Sequence, residues 1–125
     1  MTDYHEPWDA QSEEDRNIHR ALMSLKEEIE AADWYHERAA ATRDESLRKI
    51  LVHNRDEEIE HSCMLLEWLR RRMPAFQEQL SLYLFKEEDI TEIEEMAESG
   101  DEDGQEVEAA PGSTGLGIGK PKGDE

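Results

Sequence analysis

The chain has 125 residues, of which 38% are charged and only 36% apolar, so it holds one small domain with a thin core. Its formal charge of −19 argues against nucleic acid or an anionic membrane as partner. Residues 1–85 carry 19 acids against 11 Lys and Arg, and residues 86–125 carry 14 against 3, so the charge deepens toward the C-terminus. No basic-plus-apolar leader and no apolar run of membrane length is present, and the single Cys63 forms no internal disulfide. A cytoplasmic protein is the expectation, with Cys63 read as a small buried hydrophobe.

Residues 1–10 read as an irregular lead-in closing near Pro7. Ser12, with Asp15 three residues on and Glu13 and Glu14 in the first turn, marks a helix start. The first helix is predicted to run to about Ala41. Its stripe reads Ile18, Leu22, Leu25, Ile29 and Ala32, spaced as a packing seam. Thr42-Arg43-Asp44 is a short connection, with Asp44 suited to the N-cap of a second helix. That helix ends at Arg70-Arg71-Arg72, cations that suit its negative pole, before Met73-Pro74 interrupts it. A link this short makes the pair an antiparallel hairpin.

Phe76, Leu80, Tyr83 and Leu84 recur at helical spacing, and Ile90, Ile93 and Met96 suggest a further short helix. From about Glu98 the composition turns to Gly, Ser, Pro and acids, as in a disordered tail. Leu116 and Ile118, fenced by Gly115, Gly117 and Gly119, stand out in it. Two apolar residues two apart point the same way in an extended chain, like pegs for paired pockets, although stray apolar residues in a flexible tail look the same. The organisation expected is therefore a lead-in over 1–10, a helical domain over 11–97, and a tail over 98–125 with a docking peptide near 115–119.

The second helix carries an anomaly. Its apolar stripe of Leu47, Leu51, Leu65 and Leu69 runs in the middle over Asn54, Glu58 and His61. At about 100° per residue, Glu58 falls within roughly 20° of Leu51 and His61 within roughly 80°. An unpartnered carboxylate there costs free energy, and a metal ion is the leading compensation. Glu-x-x-His is also the ligand motif of carboxylate-bridged di-iron bundles. On the first helix Glu28 lies about 60° from the stripe, beside Ala21, Ala32 and Tyr35, whereas Glu27 and Glu30 fall farther round. Glu28 can thus converge with Glu58 and His61. The alternative is a surface Glu–His pair flanked by Glu57 and Glu60.

Ligand counting extends this. A di-iron bundle takes four carboxylates and two histidines from four helices, and this chain encodes half of that set. A two-fold dimer would complete both the bundle and the metal shell. The fold expected is all-α: an antiparallel two-helix hairpin plus a short C-terminal helix, with a four-helix bundle formed on dimerisation.

The runs Glu27-Glu28-Ile29-Glu30-Ala31-Ala32-Asp33-Trp34-Tyr35 and His53-Asn54-Arg55-Asp56-Glu57-Glu58-Ile59-Glu60-His61 carry a family resemblance. With Met64, Leu66-Glu67-Trp68-Leu69-Arg70-Arg71 and Tyr83-Leu84-Phe85, they make residues 15–95 resemble the encapsulated ferritins. The tail Leu116-Gly117-Ile118-Gly119 is similar to the peptide by which such cargo attaches to encapsulin shells; Lys120-Pro121-Lys122 then departs from the aliphatic continuation of family tails. The resemblance implies a ferritin-like ferroxidase of two-helix protomers, a decamer of five dimers housed inside an encapsulin nanocompartment. It implies a di-iron centre across a subunit interface, with Glu28, Glu58 and His61 as ligands and Zn, Mn or Ca as further metals the set would accept. It maps an acidic path for iron onto Glu27 and Glu30, and flanking roles onto Trp34 and Tyr35. The rival functions are a non-enzymatic, metal-bridged helical adaptor and a rubrerythrin-like oxygen or peroxide handler. The missing second Glu-x-x-His and the lack of rubredoxin cysteines count against the latter.

Overall fold

The computed structural model describes residues 4–103, with side chains to residue 100. The peptide at Leu116, Gly117, Ile118 and Gly119 lies outside the described residues. These residues form helices and no strand: a single 3-10 turn at Trp8–Ala10, α1 at Glu13–Ala41, α2 at Glu45–Arg72, α3 at Pro74–Tyr83 and α4 at Ile90–Asp103. The all-α expectation holds. Two compact units divide the chain, Met1–Phe76 and Gln77–Glu125.

Local chemistry sets the ends of the long helices. The Ser12 hydroxyl accepts from the Asp15 amide at 3.0 Å, and Asp44 Oδ1 accepts from the Leu47 amide at 2.8 Å, each satisfying an amide with no partner inside its helix. Pro74 opens α3, where its missing N–H costs nothing, and thereby ends α2 at Arg72. The lead-in is more ordered than its composition suggests. Arg16 stacks its guanidinium 3.5 Å from the centroid of the Trp8 ring and donates from Nε to the Trp8 carbonyl at 3.0 Å.

In the first unit α1 and α2 pack antiparallel. Four polar ties record the register: Arg48 to the Ala39 carbonyl at 3.0 Å, Arg55 to His36 at 3.1 Å, His61 to Glu28 at 3.3 Å and Arg72 to Glu14 at 3.1 Å. Positions rise along α2 as they fall along α1, as one rigid hairpin requires. Arg48 also donates to the Thr42 carbonyl, so its fork closes the turn between the helices.

The seam differs from the stripe expected on α1. Leu22 is 38% exposed and Ile29 55%, while Ala21 and Ala39 are buried. The residues turned inward are Ile18, Ala21, Leu25, Glu28, Ala32, Tyr35 and Ala39, alternating by three and four. Alanines let the α2 backbone come close, and the bulkier Leu22 and Ile29 are displaced to the flank. On α2, Leu69 is wholly buried and Leu51 and Leu65 half-buried, but Leu47 is exposed. Cys63 is exposed as well, against the expectation of a buried thiol, because two residues past His61 it falls about 200° round the axis, on the opposite side of α2.

In the second unit α3 ends at Tyr83 and is followed by a turn at Leu84-Phe85. Phe85 takes φ 61, the left-handed conformation that glycine usually supplies at a helix end. Lys86 Nζ donates to the Ser81 and Leu82 carbonyls at 2.9 and 3.0 Å, satisfying the last turn. Asp89 caps α4, accepting from the Thr91 and Glu92 amides. Its carboxyl is held below the usual carboxylate range by the Thr91 hydroxyl and those two amides. Ile93 is buried, and α4 continues to Asp103, past the change of composition at Glu98.

Candidate metal centre

Glu28 stands on the inner seam of α1, and Glu58 and His61 stand one turn apart on α2, so the hairpin register alone brings the three together. His61 Nδ1 lies 3.3 Å from Glu28 Oε1 and 3.5 Å from Glu58 Oε1. One ligand atom of each lies within 4.8 Å of the others, and no other group of three potential ligands meets that test among the described residues. The side chains are 29%, 23% and 44% exposed for Glu28, Glu58 and His61, so the cluster is half-sheltered and open on one side.

The electrostatics of the cluster favour uptake of positive charge. The adjoining Glu28 carboxyl raises the Glu58 pKa, with partial burial adding to it and His61 opposing. Glu28 likewise raises the His61 pKa, burial opposing and Glu58 assisting. Two carboxylates facing each other repel, and each proton gained offsets that repulsion. A divalent cation relieves it better, since carboxylate oxygens plus one imidazole form a donor set suited to iron, manganese or zinc. The residues present therefore fit a metal. Ser62 donates its hydroxyl to the Glu58 carbonyl at 2.9 Å, adding a local tie within the ligand turn.

The other residues singled out in the sequence do not join the cluster. Glu27 and Glu30 are exposed on the outer side of α1, and Trp34 is 48% exposed. Tyr35 is half-buried on the seam with the Arg38 guanidinium 5.5 Å from its ring centroid, and among the described residues its hydroxyl makes no hydrogen bond to Glu28 or Glu58. His53 approaches Glu57 at 3.5 Å on the surface. That pair is the surface arrangement held open for Glu58 and His61, and it shows how the two cases differ. His53 and Glu57 share one helix, whereas His61 also reaches across to α1. The interhelical pair Arg55–His36 carried no sequence signal, because it depends on the register.

A model of the EncFtn-like family matches residues 3–87. The chain belongs to the EncFtn-like family. It is 60% identical over 99 residues to a ferritin-like protein of Thermotoga maritima, covering 79% of this chain and 87% of that protein. It is 47% identical over 123 residues to an encapsulated ferritin-like protein of Rhodospirillum rubrum, covering 96% of this chain and 88% of that one. Among solved structures it is similar to the crystal structure of protein ne0167 from Nitrosomonas europaea, at 52% identity and a TM-score of 0.69, covering 71% of this chain and 98% of that chain. Membership of the EncFtn-like family accords with the helical fold. Among the described residues no helix is long and apolar enough to cross a membrane.

Proposed function

We propose that this EncFtn-like chain is a ferroxidase, taking Fe(II) as substrate at a di-iron centre completed by a second copy of itself. The observation that carries this is the convergence of Glu28, Glu58 and His61 across the hairpin. One chain supplies two carboxylates and one imidazole, half of what a di-iron centre takes, and a two-fold axis through the open side of the cluster supplies the rest. Glu28, Glu58 and His61 of each chain would hold the two ions between them, supplying four carboxylates and two imidazoles in all. Apolar residues left in water support self-association: Ile29 is 55% exposed, Ile50 56%, Ile59 47% and Met64 64%. By family resemblance the dimers assemble further, as a decamer of five.

The residues do three things. Glu28 and Glu58 draw Fe(II) in by charge, and any proton that Glu58 takes up beside Glu28 is displaced on loading. His61 likewise gives up its proton on becoming a neutral ligand, so loading releases acid. The four carboxylates of the dimer then stabilise the higher charge of the product, because they offset Fe(III) better than Fe(II). Two Fe(II) lose one electron each, and dioxygen or peroxide accepts the pair. Glu27 and Glu30 form an acidic approach for iron, with Trp34 and Tyr35 at its side.

The described residues enclose no cavity fit for mineral, so ferric product is handed on to an encapsulin compartment. The tail Leu116-Gly117-Ile118-Gly119 is the attachment to that shell, consistent with the relative named as encapsulated. In this reading the helical elements run through α4, which ends at Asp103, and the tail beyond them is the tether. Aerobic addition of Fe(II), followed by ferric absorbance and native mass together, tests the proposal. Oxidation above the buffer rate with assembly is expected; assembly with no added oxidation marks a metal-bridged adaptor instead.

A further inference from the structure

Arg55 lies one turn before Glu58 on α2 and reaches across the seam to α1. Its Nη1 is 3.1 Å from His36 Nδ1, and its Nε and Nη2 each lie 3.0 Å from Asp56 Oδ1. Arginine has donors only, so His36 Nδ1 accepts and the ring hydrogen sits on Nε2. The guanidinium is thereby fixed in two directions, to its own helix through Asp56 and to the neighbouring helix through His36. The Arg55 side chain is 27% exposed, but His36 is exposed and Asp56 is 59% exposed, so the clasp acts by fixing geometry and adds little to stability.

The position of this clasp matters. Three residues separate Arg55 from Glu58, about 4.5 Å along the helix. The metal centre depends on α1 and α2 holding one register, since Glu28 comes from one and Glu58 and His61 from the other. A slide of one turn would carry Glu28 about 5.4 Å away from its partners. Ala21, Ala32 and Ala39 offer no large knob to lock into α2, which leaves Ile18, Leu25 and Tyr35 as the bulky residues of the α1 seam that resist sliding. The remaining ties lie farther off, Arg48 at the hairpin turn and Arg72 at the open end. Arg55–His36 is the interhelical tie nearest the metal centre among those that do not use its ligands.

We propose that Arg55 is a positioning residue for the metal centre: clasped to His36, it holds α1 and α2 in the register that keeps Glu28 opposite Glu58 and His61 before metal arrives. The proposal rests on the metal-centre assignment made above. Its consequence is a preorganised site, in which the chain binds metal without first having to find its register.

The test uses Co(II), which takes the same donor set, resists oxidation in air and reports ligand geometry through its visible spectrum. Arg55→Met keeps the aliphatic stem and loses the donors. His36→Leu loses the acceptor, and His36→Asn keeps one at the place of Nδ1. Far-UV circular dichroism checks that each variant of the full chain keeps its helices. Arg55→Met and His36→Leu are each expected to weaken Co(II) binding by about tenfold and to change its spectrum. The double variant should lose no more than either single one, and His36→Asn should bind as wild type does. Wild-type affinity and spectrum in both Arg55→Met and His36→Leu would overturn the proposal alone, as would a loss in His36→Asn as large as in His36→Leu. Failure of the wild-type chain to bind Co(II) would overturn the metal assignment, and this proposal with it.

Discussion

His61 Nδ1 lies 3.3 Å from Oε1 of Glu28, a residue 33 positions earlier on the other arm of the hairpin. The contact ties the chemistry of the centre to the packing of two helices. Whatever shifts one arm against the other shifts the ligands, and whatever fills the site braces the hairpin.

Glu58→Gln separates those two effects. Without metal the substitution removes a repelling charge facing Glu28, so the melting temperature should hold or rise. With Fe(II) or Co(II) added, the wild-type chain should gain melting temperature as ligand concentration increases, and Glu58→Gln should not. Thermal scans across a metal titration check both halves. Parallel gains in the two proteins would place the metal elsewhere.

Metal affinity and metal-free stability should respond to pH in opposite directions. The folded pKa of His61 and that of Glu58 are both raised, chiefly by Glu28. A group whose pKa rises on folding stabilises the fold below its unfolded value, and that contribution is lost as pH climbs through the folded value. Metal-free stability from these two groups therefore declines as pH rises from the acid side through the folded His61 value. Binding of Co(II) strengthens over the same interval, because the displaced protons compete less. Melting curves and Co(II) titrations over a common pH series read the two slopes.

The salt bridges at the end of α2 supply a control of opposite sign. Arg70, and then Arg71, hold the Glu67 carboxyl at about 2. A pKa lowered on folding stabilises above the unfolded value, so this contribution persists at neutral pH and is lost as pH falls through about 2. Glu67 is 41% exposed, so solvent screening cuts the value well below what the shift implies. Glu67→Gln should cost about 0.5 kcal/mol at neutral pH, less in high salt and nothing near pH 2. Chemical denaturation at several pH values measures it.

Helix capping should be separable from the site. Ser12→Ala removes the acceptor of the Asp15 amide and Asp44→Ala that of the Leu47 amide. Each should cost about 1 kcal/mol. Neither should alter the Co(II) spectrum, since both caps lie at helix ends away from the ligands. A changed spectrum in Asp44→Ala would mean that the hairpin turn governs the register more than the contacts nearer the metal.

Much of this was legible in the sequence wherever a single residue type dictates its own place. Ser12, Asp44 and Pro74 announce helix ends through side-chain chemistry that needs no tertiary context. Glu28, Glu58 and His61 were legible because polar residues on an inward face are costly without a partner. The seam of α1 was less so. Counting large apolar residues favoured Leu22 and Ile29, whereas close packing selected Ala21 and Ala39, and hydrophobicity alone does not distinguish a core face from an interface flank. Cys63 was misplaced for the same reason, its small apolar character fitting either side of α2. The Arg55–His36 clasp was invisible, because it exists only once the two helices have taken their register.

Native mass spectrometry of the full chain under Fe(II), counting subunits and bound iron together, bears on the shared centre above all else. Even-numbered assemblies carrying two irons for every two chains are expected, with neither iron nor dimer retained in His61→Ala. One iron held by each separate chain, or dimers that persist unchanged in that variant with their iron in place, would contradict a centre built from Glu28, Glu58 and His61 of two subunits.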